Sequence, residues 1–287
     1  MILIVERGST KADFVFLNMY GTEVLSLQTI GLNPLFLNSE QIEYHLKSNV
    51  AMMDIKDEVK NIKFFGAGCR SVELNSIVKN AFRKVFQNAD CEVESDLMAA
   101  CLSISYQRKS LIGILGTGSN SCYFDGTNII KNTPSLGFIL GDEGSGNQIG
   151  KELIKMYFAD LMPIDLSKTF ENKYHFSVDQ ILENVYQKPH ANAFLARLSE
   201  FAFEHKDHEF IKELLRKCFI SFFETQIRPY QNMNTNEIGF VGSIAFLFRD
   251  ILCEIAQKFG YSVHKIVQQP MHNLVEIYKN QIKSQKP

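Results

Sequence analysis

The feature that most constrains the fold of this sequence is an order of predicted strands and helices that occurs twice. In the first third of the chain, apolar and alternating runs followed by helical patterns predict the order βββαβαβα. The same order begins again near residue 111, and its first two strands are again joined by a glycine-containing turn. Two copies of one layout predict an α/β protein with two similar domains that face each other across a cleft.

The repeat also predicts where the domains divide. We place the first domain at residues 1–107 and the second at 108–287, each long enough to bury its own core. Helical patterns between about 160 and 236 interrupt the second copy, so we interpret them as an insertion. A last helix is predicted at about 270–283, and we allow for its packing back on the first domain.

Two glycine turns carry the first functional signal. The first glycine turn, GSTK at residues 8–11, follows the first strand, and the second glycine turn, GTGS at residues 116–119, occupies the matching place in the second copy. Small residues in such turns leave backbone N–H groups and hydroxyls pointing at one space, which suits phosphate oxygens. GSTK alone is more typical of a plain hairpin. The matching positions of both turns favour a phosphate site.

The most informative stretch is LGFILGDEGSGNQIG at residues 136–150, which we call the acidic loop. Asp142 and Glu143 lie among its five glycines. A flexible surface loop is the plain alternative, but apolar residues and a predicted helix flank this one. Fixed carboxylates are good hydrogen-bond acceptors for sugar hydroxyls, so we predict that the loop binds a ligand.

Two junctions between a strand and a helix add further candidates. Asp96 follows VES and begins a helix, so it caps that helix, accepts a proton from a substrate hydroxyl, or does both. Gly242 and Ser243 lie between the strand GFV and a predicted helix. Missing side chains there would let a flat ring or a phosphate approach the backbone.

Composition argues against several classes of partner. The chain has 30 Lys and Arg residues against 32 Asp and Glu residues, so no net basic field exists to attract nucleic acid. The apolar run at residues 2–5 is too short for a signal peptide or a membrane span, which predicts a cytoplasmic protein without a membrane partner. The segment FEHKDHEF at residues 203–210 is more typical of a solvated helix face than of a metal site.

Together these motifs resemble the BadF/BadG/BcrA/BcrD ATPase family and, within it, the N-acetylglucosamine kinases. That family belongs to the superfamily of actin, sugar kinases and heat-shock ATPases. The resemblance covers nearly the whole chain with its motifs in the family order, and GDEGSG is the most specific of them. It implies two ribonuclease H-like domains, ATP and magnesium as cofactors, and a small amino sugar such as N-acetylglucosamine as substrate. It also allows a homodimer.

The resemblance further implies a role for individual residues. Asp96 would be the catalytic base, and Glu6 would act on the magnesium ion. The sugar would be bound by Asn33, Asp96, Gly137, Asp142 and Glu143. The nucleotide would be bound by Gly8, Ser9, Thr10, Lys11, Gly116, Thr117, Gly118, Ser119, Gly242 and Ser243.

The first motif departs from the family pattern. Glu6 stands where the family usually has Asp, the bulky Arg7 follows it, and Ala12 replaces the Thr that commonly follows the Lys. The leading hypothesis is ATP-dependent phosphorylation of an amino sugar. The alternative is a non-catalytic sensor, derived from a kinase, that binds sugar and nucleotide. A third hypothesis is an ATPase activator of a dehydratase or reductase, which would need an iron–sulfur cluster for which the sequence has no convincing cysteine pair.

Overall fold

A computed structural model gives the fold of this protein and describes residues 1–8, 11–69 and 71–284. The chain forms two compact units. Unit 1 comprises Met1–Ser103 and Pro270–Pro287, and unit 2 comprises Ile104–Gln269. The C-terminal segment therefore belongs to the same unit as the N-terminus.

A five-stranded sheet forms the centre of unit 1. Its strands are β1 (Ile2–Arg7), β2 (Lys11–Leu17), β3 (Glu23–Ile30), β4 (Asn61–Gly66) and β5 (Asp90–Ser95). Their spatial order is β3-β2-β1-β4-β5. The first three strands form an antiparallel meander, whereas β1, β4 and β5 are parallel to one another. The parallel strands therefore all end at the same edge of the sheet.

Helices pack against this sheet in unit 1. They are α1 (Ser39–Lys47), α2 (Val50–Ile55), α3 (Val72–Val85) and α4 (Asp96–Ser105). Fully buried aromatic side chains fill the space between the sheet and α3, where Phe82 packs edge to face on Phe64 with ring centroids 5.5 Å apart. Burial of rings of this size supplies much of the hydrophobic stabilisation of such a layer.

Unit 2 repeats the layout of unit 1. Its strands are β6 (Ser110–Leu115), β7 (Ser119–Phe124), β8 (Ile129–Thr133), β9 (Glu237–Val241) and β10 (Ser262–Val267). Their order is β10-β9-β6-β7-β8, which is the order of unit 1 listed from the other edge. β6, β9 and β10 are parallel, and β6, β7 and β8 form the meander. The predicted α/β fold with a duplicated strand order is confirmed.

The remaining helices lie between β8 and β9 and after β9. They are α5 (Gly137–Leu140), α6 (Gly146–Phe158), α7 (Ile164–Tyr174), α8 (Val178–Leu182), α9 (Ala191–Arg197), α10 (Ser199–Glu204), α11 (Glu209–Phe222), α12 (Ser243–Leu247), α13 (Arg249–Lys258) and α14 (Met271–Ser284). α14 buries Leu274 and Val275 against Ile4 and Val15 of unit 1. Across the described ranges, none of the helices has the length and apolar character to cross a bilayer.

The segment after β3 differs from the prediction. The sequence predicts one helix from Ser39, its N-cap, to about residue 53, but the structure has two. Asn38 caps α1, because its side chain accepts the N–H of Gln41. Asn49 caps α2 in the same way. Asn and Ser are both good caps, so composition alone did not decide between Asn38 and Ser39.

Helix α7 lies in the inserted segment, but the helical patterns of that segment do not cover its residues. Only Leu166 and Phe170 of its residues are buried, so its sequence, IDLSKTFENKY, carries a weak helical periodicity. Phe170 is nevertheless fully enclosed, with its ring centroid 5.0 Å from those of both Tyr157 and Phe201. Tertiary packing thus stabilises a helix that its own pattern does not announce.

A π-helical turn, Phe223–Ile227, extends α11 towards the sheet of unit 2. The hydroxyl of Ser121 on β7 donates to the carbonyl oxygen of Gln226 (2.9 Å). Tyr230, which follows the turn, donates from its hydroxyl to the carbonyl oxygen of Ser121 (2.9 Å) and accepts the N–H of Thr133 on β8 (2.6 Å). The turn therefore ties the end of the helical segment to two strands through buried polar groups.

Helix α6 packs tightly on α9 at Gly150. A Cβ atom at Gly150 would overlap the carbonyl group of Leu195, which moves only if α9 moves. We expect Gly150→Ala to lower the free energy of unfolding by about 1–3 kcal/mol, the usual cost of overpacking. Gly146→Ala in the same helix is the matched control, because its Cβ would first meet Ala196 Cβ at 3.2 Å. Equal urea midpoints for the two variants would contradict this prediction.

Candidate active site

The carboxyl ends of parallel strands are where open α/β sheets bind ligands. In unit 1 this edge carries the end of β1, the turn after β4 and the junction of β5 with α4. In unit 2 it carries the second glycine turn after β6 and the Gly242 turn after β9. We describe these edges separately, as the unit 1 site and the unit 2 site.

Glu6 is the acidic centre of the unit 1 site. Its side chain is only 8% exposed, and burial raises its pKa to about 7. The nearby carboxylates of Asp13 and Asp96 also raise this pKa, while the positive charge of Arg7 opposes them. Two acidic groups therefore act on Glu6 near the end of β1, and a cation would relieve the repulsion that Glu6 experiences.

Arg7 is buried beside these acids. Its guanidinium donates from Nη1 to the carbonyl oxygen of Ala67 (2.8 Å), in the turn after β4. Burial lowers the pKa of Arg7, and the nearby Asp96, Cys69 and Glu6 raise it. The second departure from the family pattern thus introduces a positive charge among the acidic residues of the unit 1 site.

Asp96 is the first residue of α4 and is half-buried. Its Oδ1 atom accepts the N–H of the next residue, Leu97 (2.9 Å). The capping hydrogen bond is made by Ser95 instead, whose Oγ accepts the N–H of Met98 (3.2 Å). Ser95 is therefore the helix cap, which corrects the interpretation of Asp96 as the N-cap. The catalytic role of Asp96 stays a prediction.

Asn33 is buried in the turn after β3. Its Oδ1 accepts the N–H of Leu35 (3.0 Å), and its backbone carbonyl accepts the N–H groups of Phe36 and Leu37. Gly68, in the turn after β4, lies so close to Asn33 Oδ1 that a side chain at position 68 would collide with it. The turn after β4 therefore accepts a hydrogen bond from Arg7 and lies close against Asn33. Sugar binding by Asn33 stays a prediction.

The second glycine turn is held by the start of α6 in unit 2. The N–H groups of Gly146 and Asn147 donate to the carbonyl oxygens of Gly116 (2.8 Å) and Thr117 (3.1 Å). The first N–H groups of a helix have no partner within the helix, so the turn satisfies two of them. These contacts fix the turn relative to the acidic loop.

Asp142 joins the acidic loop to the same turn. It is 7% exposed and adopts a left-handed conformation with φ of 60°. Its Oδ1 accepts the N–H of Ser119 (3.2 Å) and the hydroxyl of Ser135 (3.1 Å), and its Oδ2 accepts an N–H of the Asn147 side chain (2.9 Å). The backbone of Asp142 also accepts the hydroxyl of the α6 cap, Ser145 (2.5 Å). The predicted sugar ligand is thus heavily engaged within the protein.

Three buried polar atoms near this junction lack a hydrogen-bond partner among the described residues. They are Ser119 Oγ, Glu143 Oε2 and Asn147 Oδ1. A buried polar atom without a partner costs about 1–3 kcal/mol and is commonly explained by a bound water, ion or ligand. Their concentration in the second glycine turn and the acidic loop supports the prediction that this region binds a ligand.

Gly242 brings the other nucleotide motif against the second glycine turn. A Cβ atom at Gly242, whose φ is 125°, would overlap the carbonyl group of Leu115 and come within 3.1 Å of the N–H nitrogen of Gly116. Ser243 begins α12 directly afterwards. The structure therefore brings together, in unit 2, two of the motifs that we predict to bind nucleotide.

Five further predicted residues remain to be placed. Gly8 is exposed after β1, and Lys11 begins β2. Ser9 and Thr10 lie outside the described residues. Gly137 begins the short helix α5 with a φ of 75°.

Sequence reasoning missed Asn147 and Ser135. Both contact the carboxylate of Asp142, and Asn147 is fully buried. For Asn147 the sequence offers one signal, because an Asn lies in the first turn of a predicted helix directly after a glycine-rich acidic stretch. This signal is weak, since the first turn of many surface helices carries polar residues.

Magnesium is the metal that the resemblance implies. Among the described residues no three His, Cys, Asp or Glu side chains lie close enough together to ligate an ion. Magnesium usually takes one or two carboxylates, keeps several waters and binds phosphate oxygens of the substrate. The charge and oxygen chemistry of Glu6, with Asp96 nearby, fit such an ion, and contact through Glu6 stays a prediction.

Comparison with known proteins gives matches among solved structures. No family model matches this chain, and no curated protein matches it. A "putative N-acetylglucosamine kinase" from Porphyromonas gingivalis is 33% identical, covers 98% of this chain, is itself 99% covered and superposes with a TM-score of 0.91. This chain belongs to the family of the Porphyromonas protein. The assignment to the larger BadF/BadG/BcrA/BcrD family stays a prediction.

Two more distant structures share the fold of the Porphyromonas family. A "putative N-acetylglucosamine kinase" from Chromobacterium violaceum is 13% identical with a TM-score of 0.69, over 96% of this chain and 98% of its own. A ROK family glucokinase from Streptomyces griseus, solved with glucose and AMPPNP, is 13% identical with a TM-score of 0.55, over 95% and 97%. The chain therefore has the duplicated fold of actin-like sugar kinases.

Glu6 gives the protein a specific dependence of stability on pH. Its pKa is about 7 in the folded chain against an ordinary value of 4.5, so the folded state holds the proton more tightly. The stability that protonated Glu6 contributes is complete below about pH 4.5 and is lost as the pH rises through 7. In metal-free buffer, we expect the free energy of unfolding of the wild type minus that of Glu6→Gln to fall by about 2–3 kcal/mol between pH 5 and 8.

Denaturant titrations at each pH measure this difference. Glu23→Gln is the control, because Glu23 is an exposed residue of β3 in the same sheet. If the difference in free energy of unfolding between the wild type and Glu6→Gln varied with pH no more than the difference for Glu23→Gln, the raised pKa of Glu6 would be contradicted.

Proposed function

We propose that this protein is an ATP-dependent kinase that phosphorylates an amino sugar, N-acetylglucosamine or a related N-acetylhexosamine. The observation that carries this proposal is the family relationship: the Porphyromonas protein, 33% identical over 98% of this chain, is described as a putative N-acetylglucosamine kinase. The local architecture supports it, because both units present acidic groups or glycine turns at the carboxyl ends of their parallel strands.

Nucleotide binding is assigned to the glycine-containing motifs. Backbone N–H groups and hydroxyls of the second glycine turn would contact the phosphates, and the uncovered backbone at Gly242 and Ser243 would lie against adenosine. The first glycine turn, Gly8, Ser9, Thr10 and Lys11, would add a charged contact to the phosphates. Magnesium, when bound with ATP, neutralises charge on the transferred phosphoryl group, and Glu6 would hold it directly or through a water.

Sugar binding and proton transfer are assigned to the acidic and amide side chains. Asn33, Gly137 and Glu143 would contact the sugar, and Asp142 would support the same region. Asp96 would accept the proton of the attacking sugar hydroxyl. At the same time the hydroxyl oxygen bonds to the γ-phosphorus of ATP, and the bond between that phosphorus and ADP breaks. Asp96 lies at the start of α4, whose capping hydrogen bond is made by Ser95.

A coupled assay of ADP release tests the reaction. N-acetylglucosamine, N-acetylmannosamine, N-acetylmuramic acid, glucosamine and glucose would be compared with ATP and magnesium at saturation. We expect the highest kcat/KM with an N-acetylated hexosamine. Faster turnover of glucose than of every N-acetylated sugar would contradict the assignment of substrate.

Asp96→Asn tests the base. Because the amide cannot accept the hydroxyl proton, we expect kcat to fall by about 10²- to 10⁴-fold while the sugar still binds. Asp90→Asn, an exposed position at the start of the same strand β5, is the matched control and should keep the wild-type rate. A loss of less than threefold in Asp96→Asn would remove Asp96 from the chemistry.

Glu6→Asp tests the departure in the first motif. The extra methylene of Glu displaces the carboxylate, and an error of about 1 Å near a reacting centre can cost on the order of 10²-fold in rate. We expect Glu6→Asp to raise kcat at saturating magnesium and Glu6→Ala to lower it. Equal rates in the wild type and both variants would show that Glu6 has no role in the reaction.

The sensor hypothesis has one observation in its favour, which is the buried Glu6 beside Arg7 where the family has an Asp and a small residue. A sensor would bind an amino sugar and release no ADP. Calorimetric binding of N-acetylglucosamine, together with no ADP release in either the wild type or Glu6→Asp, would replace the kinase proposal by the sensor.

A further inference from the structure

The carboxylate of Asp142 has little room for a ligand. A carboxylate offers about four acceptor positions, and three of them are taken by Ser119 N–H, the Ser135 hydroxyl and the Asn147 side-chain amide. The side chain is also 7% exposed. Its donors come from three separate segments, namely the second glycine turn, the segment before α5 and the first turn of α6.

Close packing confirms how tightly this carboxylate fits the turn. A Cβ atom at Gly118 would come within 2.8 Å of Asp142 Oδ2 and 3.0 Å of Oδ1. Because glycine has no Cβ atom, Gly118 lets the carboxylate of Asp142 approach the turn at this distance. The fit joins a motif predicted to bind phosphate to a residue predicted to bind sugar.

The same carboxylate decides which way the amide of Asn147 points. An ionised carboxylate only accepts hydrogen bonds, so it must face the amide nitrogen of Asn147 and not the amide oxygen. The oxygen, Oδ1, then points away from Asp142, and it has no partner among the described residues. Ser119 Oγ is in the same situation, although the backbone N–H of Ser119 is held by Oδ1 of Asp142.

We propose that Asp142 is a positioning residue and not a sugar ligand, an inference that rests on the function proposed above. One oxygen of its carboxylate fixes Ser119 of the second glycine turn so that the hydroxyl can donate to a phosphate oxygen of ATP. The other oxygen orients Asn147 so that its Oδ1 accepts from a hydroxyl or amide N–H donor of the ligand. Asp142 thereby couples the phosphate turn to the acidic loop.

A reciprocal exchange of the two side chains tests this coupling. In Asn147→Asp two carboxylates face each other, so we expect the contact to open and the Kd for AMPPNP with magnesium to rise about tenfold or more. In Asp142→Asn the Asn147 amide can reverse and keep its hydrogen bond to residue 142. The second glycine turn should then stay in place, and the Kd for AMPPNP should change by less than about threefold. The double variant Asp142→Asn/Asn147→Asp restores a donor opposite a carboxylate, and it should recover the affinity lost in Asn147→Asp to within about threefold of the wild type.

Asp142→Ala removes the contact altogether. We expect the KM for ATP and the Kd for AMPPNP to rise about tenfold or more, with a smaller change in the Kd for the sugar. Asp160→Ala is the matched control, because Asp160 is an exposed aspartate of the same unit with a similar left-handed φ of 55°. A loss confined to sugar affinity, or a double variant as impaired as Asn147→Asp, would overturn the proposal.

A readout without ligand separates this inference from the proposed function. Hydrogen–deuterium exchange of the peptide covering residues 116–119 should become faster in Asp142→Ala and Asn147→Asp, and return towards the wild type in the double variant. Unchanged exchange in all variants would refute the positioning role even in an active kinase. Normal coupling in a protein that releases no ADP would refute the kinase and leave the positioning role intact.

Discussion

Parallel strand pairing is the constraint on which the rest of this structure depends. In unit 1, β1 pairs in register with β4 and β4 with β5, so Glu6, the turn at Ala67 and Asp96 end at one edge of the sheet. The register of β6 with β9 does the same in unit 2 for the second glycine turn and Gly242. Most strand residues are apolar, and the hydrogen bonds of the strands fix the spacing of the polar residues at and beyond their ends.

The fold could be predicted from the sequence because its main signal is periodic. Strands such as ILIVER and KADFVFL are buried on most positions, and the order of elements repeats. The misses have local causes. Helix α7 buries two side chains and gives little periodicity, and the break between α1 and α2 depends on Asn49, a cap that lies inside an otherwise continuous helical pattern. Such choices are made by tertiary contacts and single hydrogen bonds, which a window average does not register.

The candidate site could be predicted as a set of residues but not as a set of contacts. GTGS and GDEGSG identify themselves by composition, yet nothing in the sequence indicates that Asp142 would turn its carboxylate onto Ser119 and Asn147. That geometry depends on a left-handed backbone conformation at a residue other than glycine. The raised pKa of Glu6 likewise depends on burial, on Asp13 across the β1–β2 pair and on Asp96, which is distant in the chain. Partners and protonation states are properties of the folded chain.

The π-helical turn Phe223–Ile227 has a consequence for how this chain can change in length. The wider turn sets the rotation at which Gln226 and Tyr230 meet Ser121 of β7. Removing one residue from it would rotate everything that follows by about 100°, since an α-helix has 3.6 residues per turn. Tyr230 would then lose its hydrogen bonds to β7 and β8. Substitutions in this helix can be absorbed one side chain at a time, whereas insertions and deletions would be confined to the loops on either side of it.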